Sequence, residues 1–87
     1  MSNENEEKSL IDKLKSNCLI KLRENSFKEH WNTLSQEECI SRIFEELTEL
    51  FNAIDWKKPA IEVWREASDV CNFIAFLADN YEKQIII

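Results

Sequence analysis

The chain contains no glycine. Glycine-rich phosphate loops, the dinucleotide-binding fingerprint and the nucleophile elbow all need glycine where the backbone turns sharply or comes close to a ligand. Those routes to phosphate chemistry are closed. If this chain handles phosphate, it has to do so through metal ions and side chains.

Its 87 residues make one domain. A domain of this size buries only about 60–65% of the surface its unfolded chain exposes. A disulfide, a metal or a partner subunit usually supplies the missing stability. Disulfides are the poorest candidate: there are three cysteines, Cys18, Cys39 and Cys71, with no Cys-x-x-Cys pair, each among apolar positions. They read as small reduced core residues, which points to a cytoplasmic protein. The first residues, Met1 to Ser9, are polar and acidic with no apolar signal core. No run approaches the roughly 18 apolar residues of a membrane span. With a net charge of −6 the chain is not suited to a nucleic-acid polymer, which calls for a basic face. A single nucleotide with its phosphates neutralised by a metal stays open.

Hydrophobic periodicity predicts an all-α fold, an antiparallel helical bundle. Residues 1–8 read as a disordered acidic tail. Residues 9–83 read as a single helical domain. Ser9 is the expected first N-cap, with Asp12 three residues on, followed by a stripe of Leu10, Ile11, Leu14, Cys18, Leu19 and Leu22 that ends near Asn25. Residues 26–35 form a connection with room for a short helical turn. Ser35 and Glu38 have capping-box spacing, and Leu34 and Cys39 the spacing of a hydrophobic staple. The second stripe is Ile43, Phe44, Leu47, Leu50, Phe51 and Ile54. Asp55 to Lys58 make the turn, and Pro59 suits the first position of a third helix. Between Val70 and Ala78 apolar residues cover nearly the whole circumference. A helix apolar all round needs burial on every side, so the core is expected to be completed by oligomerisation. Residues 84–87 are a C-terminal arm, either a helix extension or a β-like strand.

The chemistry lies in carboxylates. Glu46 and Glu49 are three apart on the second helix, and Glu66 and Asp69 three apart on the third; residues at that spacing share a face. Each pair is centred ten residues from the Lys57–Lys58 turn, about 15 Å along its helix. The pairs therefore lie at one level and can face each other. With 17 of 87 residues acidic, a lone pair carries little weight. Two pairs at equal depth say more, because carboxylates converging there repel unless protonated or bridged by cations. All-oxygen ligands select hard cations such as Mg²⁺, Mn²⁺ or Ca²⁺. Mg²⁺ keeps open positions for water and phosphate oxygens.

These residues resemble a known family. Glu45-Glu46-Leu47-Thr48-Glu49 reads E-E-x-x-E, and after sixteen residues Glu66-Ala67-Ser68-Asp69 reads E-x-x-D and runs on into Val70-Cys71-Asn72-Phe73. The pattern is similar to the signature of the MazG-type all-α nucleotide pyrophosphohydrolases, over roughly residues 10–82. The resemblance implies a homodimer or homotetramer that hydrolyses nucleoside triphosphates to the monophosphate and pyrophosphate. It implies Mg²⁺, with Mn²⁺ as a substitute, held by Glu46, Glu49, Glu66 and Asp69. Glu45 would be the base or would support the ligands from behind, and Asn72 would contact the sugar or base. Lys28-Glu29-His30-Trp31 resembles a basic-plus-Trp segment of some members, which makes Lys28 and Trp31 substrate-binding candidates. Trp31 also reads as a packing anchor for the first helix. Lys21, Arg23, Lys57 and Lys58 are further candidates for phosphate. The competing reading is a MazG-like helical interaction module without catalysis. Phosphoribosyl-ATP as substrate lacks an evident second basic cluster. A di-iron bundle lacks the Glu-x-x-His pairs it needs.

Overall fold

The computed structural model describes residues 3–24 and 31–85, and among them the fold is all-helical. Three helices, α1 (Glu4–Glu24), α2 (Gln36–Asp55) and α3 (Ala60–Ile85), are joined by a short 3-10 turn, Trp31–Thr33, and a tight hairpin. No described helix is long and apolar enough to cross a membrane.

Helix α1 begins five residues before the expected Ser9 cap, so the segment read as a tail is helical from Glu4. The cap is Asn3. Its side chain accepts from the Glu6 N–H at 2.8 Å while the Glu6 carboxylate takes the Asn3 N–H at 3.4 Å. This is a capping box with asparagine in the serine position. Glu4, Glu6 and Glu7 in the first turn favour the positive end of the helix dipole. A run read as charged tail is therefore a helix start.

Helix α2 starts where expected. The Glu38 N–H donates to Ser35 Oγ at 3.0 Å and the Ser35 N–H to the Glu38 carboxylate at 3.2 Å. It ends without glycine in a Schellman turn: Lys58 N–H donates to Ala53 O at 2.9 Å and Lys57 N–H to Ile54 O at 3.1 Å. Lys57 takes the left-handed position with φ 54°. Pro59 stands just before α3, and its carbonyl accepts the first bonds of that helix from Glu62 and Val63. At the other end α3 continues through Gln84 to Ile85, which favours the helix-extension reading of the arm over a strand. Ile86 and Ile87 lie outside the described residues.

Helix α3 is the spine. It contacts α1, α2 and the 3-10 turn. Along α2 and α3 the contacts step in opposite chain directions, from Gln36–Gln84 through Cys39–Asn80 to Arg42–Phe73. The core is Cys39, Phe73 and Phe76, with Leu22, Trp31, Leu34, Ile43 and Leu77 packed on it. Trp31 stacks on Phe76 at 5.3 Å, and Phe73 meets Phe76 edge-on at 5.4 Å. Buried Asn80 donates to the Trp31 and Leu34 carbonyls at 3.1 Å each, pinning the entry to α2.

The apolar residues of α2 fall in two rows. Cys39, Ile43, Glu46, Leu50 and Ala53 form the inner row, buried or half-buried against α3. Ile40, Phe44, Phe51 and Ile54 stand exposed beside it. On α3, Ile74 and Tyr81 are also exposed. The segment predicted to be apolar all round is thus covered on two sides and open on a third.

Candidate metal centre

Glu46 sits in the middle of the α2 inner row, where Ile43 and Leu50 are its neighbours one turn away, and it is 6% exposed. It lies at a core position, which for a carboxylate is costly unless something compensates the charge. Glu66 and Asp69 come from the facing side of α3 and are half-buried.

The expected convergence holds for three of the four carboxylates. Oxygens of Glu46, Glu66 and Asp69 lie within 4.8 Å of one another. Glu49 is exposed on the rim, near enough for its charge to act on all three. Two ionised groups at such a separation repel by about 3 kcal/mol at an effective dielectric of about 20. The proton affinities follow. Burial, then Glu49, then Asp69 push Glu46 up to about 7, with Arg42 opposing. Burial and the charges of Glu49 and Asp69 raise Glu66. Burial raises Asp69 as well, against the pull of Lys21.

Two cations face the group. Lys21 Nζ on α1 lies 3.2 Å from Asp69 Oδ2, and Arg42 on α2 reaches Glu46 Oε1 at 3.4 Å. When ionised, the four carboxylates outnumber these cations, since Arg42 is shared with Glu45 and Arg65, whose charge also reaches Asp69, is paired with Glu24. Buried Oε2 atoms of Glu46 and Glu66 accept from no donor among the described residues, and Glu49 is the one side chain in hydrogen-bonding range of both carboxyls. Unsatisfied buried oxygens on an all-carboxylate donor set fit a hard cation.

The other candidates are placed differently. Glu45 is exposed and paired with Arg42 at 2.9 Å, and that guanidinium links it to Glu46. Arg42 was not singled out from sequence; its place four residues before Glu46 was the available signal. Asn72 is buried and its amide donates to Cys18 O at 3.1 Å, tying α1 to α3. Trp31 hydrogen-bonds Asp79 through Nε1 at 2.8 Å and stacks on Phe76. Its partners are seven and ten residues beyond Asp69, about 10–15 Å along α3. Trp31 thus anchors the 3-10 turn on α3, not the first helix as expected. Lys28 and His30 lie outside the described residues.

Compared with known protein families, with curated proteins and with solved structures, the chain has no match.

Proposed function

We propose that the chain is a Mg²⁺-dependent nucleotide pyrophosphohydrolase that converts a nucleoside triphosphate to the monophosphate and pyrophosphate by attack of water at the α-phosphate. The observation that carries the reading is the buried Oε2 of Glu46, reached by no donor among the described residues, within a group of three carboxylates that gather inside 4.8 Å. The E-E-x-x-E and E-x-x-D pattern supplies the reaction.

In this reading Glu46, Glu49, Glu66 and Asp69 hold the metal. Bound Mg²⁺ supplies neutralisation of the triphosphate and a more acidic water. Arg42 steadies Glu46, with its guanidinium 5.0 Å from the Phe73 ring centre. Glu45 is a positioning residue that holds Arg42 in that place. Once a cation shares the charge of Asp69, the Lys21 ammonium is available to a phosphate oxygen. The rival reading, a helical module without catalysis, draws on the same contact: Lys21 on Asp69 is also an ordinary structural ion pair.

The reading includes a second copy of the chain. Ile40, Phe44, Leu47, Phe51 and Ile54 repeat at alternating steps of four and three, the spacing of a helix–helix seam. Four of them are exposed. A partner's helices on this side would turn the open three-helix layer into a closed antiparallel bundle. The free cysteines suit a cytoplasmic setting.

The test is pyrophosphate release from a panel of dNTPs with Mg²⁺. Release that vanishes in Glu49→Ala and in Asp69→Ala supports the reading. Release that survives both changes removes the site, and no release from any dNTP removes the enzyme.

A further inference from the structure

A cleft of about 360 Å³ opens beside the carboxylates, toward the hairpin tip. Glu66 belongs to both the cluster and the cleft wall, and Glu49 on the rim also faces the cleft; Asn52, Ala53, Trp56, Lys58 and Glu62 complete the lining. Trp56 is 69% exposed, a large aromatic surface left in water. Its backbone is nonetheless fixed, because its N–H caps α2 on Asn52 O. The side chains of Asn52, Lys58 and Glu62 have no hydrogen bond or ion pair among the described residues. Trp56 lies seven residues beyond Glu49, about 10 Å of helix rise, roughly the length of a nucleoside.

We propose that this cleft takes the base of the nucleotide, and that the base is one whose Watson–Crick edge sets an exocyclic amino group beside a ring nitrogen acceptor, cytosine or adenine. The proposal rests on the nucleotide reading above and adds the specificity. Trp56 supplies the stacking face. The Glu62 carboxylate accepts from the amino group, as acidic side chains do from cytosine N4. Lys58 donates to the neighbouring acceptor, and the Asn52 amide serves either edge. Uracil and thymine would turn a carbonyl oxygen toward the Glu62 carboxylate and be rejected.

The experiment uses uncharged nucleosides, so that binding does not depend on metal or on turnover. Deoxycytidine, deoxyadenosine, thymidine and deoxyuridine are titrated into the full chain while the indole N–H resonances of Trp31, Trp56 and Trp64 and the amides of Asn52 and Ala53 are followed by NMR. The expected result is a saturable shift of the Trp56 indole with deoxycytidine or deoxyadenosine, with Trp31 and Trp64 unmoved. Thymidine and deoxyuridine should bind about tenfold more weakly. Trp56→Ala should lose about tenfold in affinity and Trp56→Phe should keep most of it. Glu62→Gln should shrink the preference between bases. No saturable shift, equal affinity for all four nucleosides, or full affinity in Trp56→Ala would overturn the proposal. Binding as expected without pyrophosphate release sinks the enzyme reading alone. Pyrophosphate release with equal use of all bases sinks this one alone.

Discussion

The Lys21 ammonium lies 3.2 Å from Asp69 Oδ2, and both side chains are largely buried. This contact joins the first helix, which has no buried residue of its own, to the carboxylates between α2 and α3. Lys21→Met should therefore cost about 2 kcal/mol in metal-free protein, the scale of a hydrogen bond to a charged group. Millimolar Mg²⁺ should restore most of that loss, because a bound cation replaces the missing charge and stabilises the folded state. Thermal unfolding of both proteins with and without Mg²⁺ checks this. An equal Mg²⁺ increment in the two would count against it.

Glu46 gives the metal-free fold an inverted pH dependence. Its folded value of about 7 stands above the ordinary 4.5, so the folded state holds a proton that the unfolded state has released. Below pH 4.5 both states are protonated and nothing is lost. Stability then falls as pH rises from 4.5 to 7 and stays low above that, by about 3 kcal/mol for a shift of this size. Glu46→Gln should flatten the curve and stabilise the metal-free protein at pH 8. Urea unfolding across that range reads it directly. A wild type as stable at pH 8 as at pH 5 would contradict the shift.

That inversion shows what was legible in the sequence and what was not. Carboxylate spacing placed Glu46, Glu66 and Asp69 at one level because hairpin helices fix depth by residue count alone. Rotation about the helix axis was harder to read. Apolar residues on α2 fall in two adjacent rows, and counting Ile43 to Ile54 as one stripe hides that Glu46 lies within the inner row. Ser35 and Glu38 announced their cap because serine and glutamate carry that motif. Asn3 and Glu6 make the same cap, and an acidic run concealed it. Trp31 was legible as an anchor, yet its partners Phe76 and Asp79 depend on tertiary contact that no local pattern encodes. The Trp56–Glu62 wall was missed for the same reason.

Absence of glycine leaves Lys57 at φ 54° to close the Schellman turn. An L-residue with a side chain in that region costs about 1–2 kcal/mol. Lys57→Gly should raise stability by about 1 kcal/mol, part of the relief being offset by a freer unfolded chain. Chemical denaturation measures this. A loss of stability would mean that the Lys57 side chain makes contacts that outweigh the strain.

The exposed α2 seam bears on assembly. Phe44 and Phe51 are 67% and 57% exposed and lie two turns apart. Sedimentation of the wild type should give a dimer or tetramer. The double change Phe44→Lys and Phe51→Lys should give a monomer that keeps its helical circular dichroism, since neither ring is in the core cluster. A wild type that is monomeric at high concentration would remove the second copy.

The hard-cation site itself is tested most directly by calorimetric titration of Mg²⁺ in buffers of different ionisation enthalpy at pH 7. Binding should saturate, should release protons because Glu46 is about half protonated there, and should be lost in Asp69→Ala. No saturable heat, or the same binding in Asp69→Ala, would contradict a metal centre built from Glu46, Glu49, Glu66 and Asp69.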